Sequence, residues 1–228
     1  MTNNFRVAFG DTDSLSICKA DQSPFSEEER VDLLQNLNSH FPSQIRFEDD
    51  GYFDSAVVIA PKNYSLRANG KETLKGASLK GSTREPAFRE FIRSALDLFH
   101  EGTPHAFDSL YHSYVSEIYH VTDIARFAFK RTVTETLYSS PRANETKVVD
   151  AISDVSTQMG DKVYLFYDNE DKLQTVDKWT GSNHSTQRLL KKLYMTAQIF
   201  SPIFETKRLP NYTLKRNQLA LSQYLTAI

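Results

Sequence analysis

The hydrophobic pattern of this 228-residue chain changes period near residue 82. A chain with that change folds as a strand-built segment followed by a helix-built one. In the first segment Phe5, Val7 and Phe9 alternate with Arg6 and Ala8, and Leu15 and Ile17 alternate with Ser14 and Ser16. Period two is that of half-buried strands, and Gly10 reads as the turn between them. Ser26-x-x-Glu29 is a capping box that opens a helix running to about His40 and closing near Pro42. Strands are expected over 45–47, 52–59, 64–68 and 71–74, the last two joined by the two-residue turn Asn69-Gly70.

Past Ser82-Thr83, which reads as a helix cap, the spacing turns helical. Phe88, Phe91, Ile92, Ala95, Leu96 and Phe99 form one stripe over 85–101, with Gly102 as the stop. A second helix is expected over 106–124, a third from Asn144 to Ser156, and an amphipathic one over 185–200. A small hairpin, 162–167 with 173–176, lies between the last two. The expected class is α+β, divided into residues 1–82 and 83–228.

A hydrophobic content of 39% over this length is enough for a sizeable core. The longest uninterrupted apolar run, Ala56-Val57-Val58-Ile59-Ala60, is far short of a membrane span, and Met1-Thr2-Asn3-Asn4 lacks the apolar region of a signal peptide, so no membrane association is expected. The single cysteine, Cys18, excludes an internal disulfide framework and fits a reducing compartment, the cytoplasm. His100, His105, His112, His120 and His184 lack zinc-like spacing, and no nucleophile-elbow, Walker or Gly-x-Gly-x-x-Gly segment is present.

Net charge is −2, but the signs are segregated. Residues 26–54 carry eight acids against Arg30 and Arg46; residues 60–94 carry eight bases against three acids; residues 188–216 carry seven bases against Glu205. Basic stripes on a near-neutral chain can form a local footprint for a phosphate backbone, or a solvated helix face.

Three groups of residues carry chemistry. Asp11-Thr12-Asp13 sets two carboxylates at the tip of the first hairpin, where strand alternation can aim both at one hard cation such as Mg²⁺; Asp is also common in turns for its backbone hydrogen bonds. Leu15 and Ser16 stand where a calcium loop needs its next ligand and glycine. Lys62 and Tyr64, two apart on a strand, are expected to share a face and offer a cation with a phenol. In the segment 74–86, Gly76 and Gly81 permit close backbone approach while Lys75, Lys80 and Arg84 bracket a helix N-terminus.

In this order the segments resemble the C-terminal third of a family B DNA polymerase. Phe9-Gly10-Asp11-Thr12-Asp13-Ser14 is similar to palm motif C, usually Tyr-Gly-Asp-Thr-Asp-Ser, with Phe9 in place of Tyr. Lys62-Asn63-Tyr64 resembles the Lys-x-Tyr motif that contacts the primer end of the duplex. Lys75-Gly76, Lys80 and Arg84-Glu85-Pro86 are similar to the palm-to-thumb segment of bacteriophage members, and Lys130-Arg131-Thr132-Val133-Thr134-Glu135 and Gly160-Asp161-Lys162-Val163 resemble thumb signatures. The resemblance runs from about residue 5 to about residue 200; residues 207–228 carry no motif that fits it.

The resemblance implies a partial palm over 1–82 and a mostly helical thumb with a small β-hairpin over 83–228. It implies Mg²⁺-dependent transfer of a deoxynucleotide from its triphosphate (dNTP) to a primer 3′-hydroxyl, with two metal ions. Asp13 would be the principal ligand and Asp11 its close supporter. Lys62 and Tyr64 would hold the primer-template junction, while Lys75, Lys80, Arg84, Lys130 and Arg131 would contact DNA without reading its sequence. The sequence departs from the family in lacking motif A (Asp-x-x-Ser-Leu-Tyr-Pro), whose Asp is the other principal ligand, and the fingers motif (motif B, Lys-x-x-x-Asn-Ser-x-Tyr-Gly), whose Lys binds the triphosphate. The expected partners are therefore primer-template DNA, dNTP and a second polypeptide bearing motifs A and B, whose sheet the hairpin completes. The alternative reading is a non-catalytic clamp that grips duplex in a replication complex. A glycosyltransferase using Asp-x-Asp is disfavoured, because no nucleotide-sugar βαβ region precedes the motif.

Overall fold

A computed structural model describes residues 5–80, 85–139 and 143–203. The chain is mixed α+β with small antiparallel sheets. It divides into two compact units, Met1–Gly76 and Ala77–Ile228.

In the first unit, β1 (Phe5–Asp11) and β2 (Ser14–Lys19) pair antiparallel. Asp11 lies opposite Ser14, so the turn residues are Thr12 and Asp13. Gly10 sits inside β1 opposite Leu15, not at the turn where the sequence placed it. Thr12 instead takes the left-handed backbone, at φ +56°. Helix α1 (Glu27–Ser39) begins at the expected capping box: the Glu29 N–H donates to Ser26 Oγ at 3.1 Å and the Ser26 N–H to Glu29 Oε2 at 2.8 Å. This helix buries none of its residues. Polar ties hold it, Lys19 Nζ to Glu29 at 2.6 Å and Arg30 to Asp49 at 2.8 Å.

Strands β3 (Ser55–Ala60), β4 (Asn63–Ala68) and β5 (Lys71–Lys75) form one antiparallel sheet in that order. Asn69 and Gly70 have φ +50° and +71°, as a two-residue primed turn requires. The strand expected over 45–47 does not form. The Asn38 carboxamide takes the place of a neighbouring strand there, accepting from the Phe47 N–H at 2.7 Å and donating to the Phe47 carbonyl at 2.9 Å. The buried apolar residues of this unit are Val57, Ile59, Tyr64 and Leu66, while Val7, Leu15 and Ile45 are about half exposed.

The second unit opens with the short α2 (Ala77–Lys80), followed by α3 (Pro86–His100) and α4 (Phe107–Tyr119). The helix expected to continue to 124 stops at Tyr119, and Asp123 caps a separate 3-10 turn, Ile124–Phe127, by accepting from the Ala125 N–H at 2.9 Å. The cap expected at Ser82-Thr83 lies outside the described residues; Glu85 stands at the N-cap, with Pro86 in the first turn. Next come β6 (Phe129–Thr132), α5 (Glu135–Ser139), α6 (Ala143–Ile152), β7 (Lys162–Tyr167), β8 (Leu173–Thr175) and α7 (Thr186–Ala197). The four residues of β6, unread in the sequence, pair with β7, so the expected hairpin is part of a three-stranded sheet.

Two groups of buried side chains fill this unit. Phe91 on α3 has its ring edge-on to Phe107 at 5.7 Å, Tyr111 at 6.4 Å and Tyr114 at 5.3 Å, and Phe200 packs on Phe107 at 5.6 Å. Val133, Leu137, Val148, Ile152, Val163 and Leu165 form the other. Phe91 is fully buried, so Phe91→Ala should cost about 3–5 kcal/mol in urea unfolding, with the loss falling on the second unit.

His184 is buried, and its Nδ1 accepts from the indole N–H of Trp179, the chain's single tryptophan, at 3.3 Å. Burial pulls its pKa below the ordinary histidine value. The unfolded chain takes up this proton near pH 6.5 and the folded chain only at lower pH, so stability contributed here is present above about pH 6.5 and declines below it. Trp179 fluorescence should titrate with a midpoint below about 6.5, and His184→Gln should remove that transition.

Candidate functional site

The tip of the β1–β2 hairpin is built around Asp11. Its Oδ2 accepts from the Tyr64 hydroxyl at 3.1 Å, its Oδ1 from the Thr12 hydroxyl at 3.3 Å, and its backbone carbonyl from Ser14 Oγ at 3.0 Å. Phe9, two residues earlier on β1, packs its ring 4.8 Å from that of Tyr64. Half-buried Phe9 and Asp11, separated by exposed Gly10, thus form the inner side of the hairpin. Tyr64 is 7% exposed; burial, then the hydrogen bond and charge of Asp11, push its phenol above the ordinary range. A phenol that stays protonated remains a donor to the carboxylate.

Tyr64 also fixes a second candidate. In the β4–β5 ladder it lies directly opposite Lys75. Directly opposed residues share a face of the sheet, so Lys75 is on the face that meets the hairpin. Tyr64 thus links two other candidates, Asp11 by its hydrogen bond and Lys75 across the strand ladder. Asp13 follows Thr12 in the turn and is exposed.

Lys62 departs from expectation. It is not on a strand with Tyr64 but in the two-residue turn Pro61-Lys62 that joins β3 to β4, with φ +60°. A side chain in that region costs roughly 1–2 kcal/mol, which glycine would avoid. Gly76 explains how the turn is held. At φ +104°, a Cβ there would collide with the Lys62 carbonyl and the Asn63 side chain. The glycine flexibility inferred from sequence thus serves contact between Gly76 and the turn bearing Lys62.

The other candidates belong to the second unit. Lys80 is exposed at the end of α2, and Lys130 is exposed on β6. Arg131 is paired with Glu145 at 2.9 Å. Arg84 lies outside the described residues.

The two aspartates offer hard oxygen donors of the kind Mg²⁺ takes. Among the described residues no group of three His, Cys, Asp or Glu side chains gathers as a metal site. Asp13 lies in the turn and not on a strand with Asp11, so the strand alternation expected to aim both carboxylates at one cation does not apply to the pair. No described helix is long and apolar enough to cross a membrane. No protein-family model matches the chain, and no curated protein matches it.

The packing of Gly76 on the Lys62 turn predicts opposite responses from two glycine exchanges. Gly76→Ala should lose on the order of 2 kcal/mol of stability, because the new methyl meets backbone at a positive φ. Lys62→Gly should leave stability within about 1 kcal/mol of the parent or raise it. Paired urea titrations check both, and equal losses would refute this account of the turn.

Proposed function

We propose that this chain is the C-terminal part of a family B DNA-directed DNA polymerase. It supplies the motif C carboxylates and a grip on primer-template duplex, and acts with a second polypeptide that carries motifs A and B. The observation that carries this reading is the grouping of Asp11, Tyr64 and Lys75, with Lys62 held beside Gly76. Residues that resemble three successive family segments are linked through Tyr64 within the first unit.

In this reading the first unit is a partial palm and the second a thumb. Asp13, exposed at the tip, presents its carboxylate to a divalent ion, and Asp11 assists while held in orientation by Tyr64. Bound Mg²⁺ would lower the pKa of the primer hydroxyl and stabilise charge on the leaving pyrophosphate. Lys62 and Lys75 neutralise backbone phosphate near the primer end, and exposed Lys80 and Lys130 offer cations to duplex phosphate from the second unit.

The need for a second polypeptide follows from chemistry and folding together. Two carboxylates cannot align two metal ions. A two-stranded hairpin is marginal by itself in water, and β1–β2 leaves Val7 and Leu15 exposed beside unpaired strand edges. A strand added by the partner would cover that edge and bring the missing carboxylate beside Asp13.

The test is primer extension by this chain mixed with a polypeptide bearing motifs A and B. Extension should require both and fall by at least about a thousandfold with Asp13→Ala, the scale of losing a principal electrostatic element of an active site. Lys62→Ala should weaken duplex binding and lower its salt slope by about one. Full extension by this chain alone would overturn the shared site. Undiminished extension with Asp13→Ala would instead identify a clamp without chemistry.

A further inference from the structure

We infer that the cleft between α7 and the β6–β7 strands binds a nucleobase together with its attached phosphate, as a site built from different residues than those around Asp11. The cleft has a volume of about 530 Å³, within the usual range of small-molecule pockets. Phe129 and Tyr167 contribute aromatic wall, with Arg188, Lys191 and Lys192 lining the α7 side.

The arrangement of the cations decides what the cleft can take. Lys192 is committed to Glu85, whose nearly buried side chain it meets at 2.6 Å. Arg188 is held by Asp171, with Nη2 at 2.7 Å from Oδ2, and its guanidinium carbon lies 3.9 Å from the centre of the Tyr167 ring. That fork and ring fix the guanidinium as a shelf on Tyr167, and guanidinium planes stack on bases as aromatic rings do. Because Asp171 already offsets the charge of Arg188, a phosphate would be met chiefly by Lys191. That residue is exposed and has no ion-pair partner among the described residues.

A flat shelf with aromatic wall and a single open cation suits a planar base with one phosphate. It does not suit the run of phosphates along a duplex, which needs several open cations. The same chemistry is offered by a free nucleotide and by a nucleotide within a single strand.

The site is tested on the full chain with four probes: fluorescein-labelled oligothymidylate and a labelled duplex of equal length by anisotropy, and free thymidine 5′-monophosphate and inorganic phosphate by calorimetry. Lys191→Glu and Arg188→Gln, checked for folding by Trp179 fluorescence, should each weaken oligothymidylate or thymidine monophosphate binding about tenfold. Inorganic phosphate should bind far more weakly. Loss confined to the oligonucleotide identifies a single strand as the source, and loss confined to the monophosphate identifies a free nucleotide. The proposal is overturned if neither probe binds, if both folded variants bind as the parent does, if inorganic phosphate binds as well as the monophosphate, or if duplex of equal length responds equally. The primer-extension test depends on other residues, so either proposal can fail without the other.

Discussion

A single hydrogen bond, from the Tyr64 hydroxyl to the Asp11 carboxylate, joins segments 53 residues apart and fixes the β1–β2 hairpin against the three-stranded sheet. At its other end the hairpin is tied by Lys19 to Glu29 at 2.6 Å and by Phe5 stacked on Phe25 at 5.5 Å. Its strands leave most of their side chains exposed or half exposed, and a two-stranded ribbon of this size is marginal in water. The Phe9 ring against Tyr64 adds apolar contact beside the polar one, so the tyrosine is both packing partner and donor. Lys75 lies opposite Tyr64 and Gly76 packs against the Lys62 turn, so the β4–β5 ladder places the rest of the grouping.

The charge pattern looks different once partners are known. Arg126 pairs with Glu90 and Glu117, Arg131 with Glu145, Arg188 with Asp171 and Lys192 with Glu85. Part of the basic character of the second unit is thus paired, and because these cations are partly exposed the pairs add little stability individually. Many other cations stay exposed among the described residues, Arg46, Lys71, Arg89, Arg93, Lys147 and Lys162 with them, so exposure alone does not single out Lys62, Lys75, Lys80, Lys130 and Lys191.

Local signals in the sequence were legible where they depend on neighbours. The capping box at Ser26, the Asn69-Gly70 turn, the stripe on α3 and the β7–β8 hairpin are each written in a few adjacent residues. What escaped depends on distant partners. Segment 45–47 has strand-like residues, but the Asn38 carboxamide satisfies the Phe47 backbone before another strand can. The four-residue β6 is too short to show alternation and exists because β7 offers it an edge. Lys62 follows a proline, which signals a turn, yet its left-handed backbone is not a position lysine prefers. The Asp11, Tyr64 and Lys75 residues of the site were readable one by one; their linkage through Tyr64 was not, because a register between strands and a hydrogen bond across 53 residues set it.

The most direct test of the site is a photocross-link from the primer terminus. A primer-template carrying 4-thiothymidine at the primer 3′ end, bound to this chain and irradiated, should label peptides containing residues 9–13 and 61–64. Labelling there would show that the hairpin tip and the Lys62 turn face the reacting end of DNA. Labelling confined to other peptides, with these segments unmodified while the duplex is bound, would contradict the account.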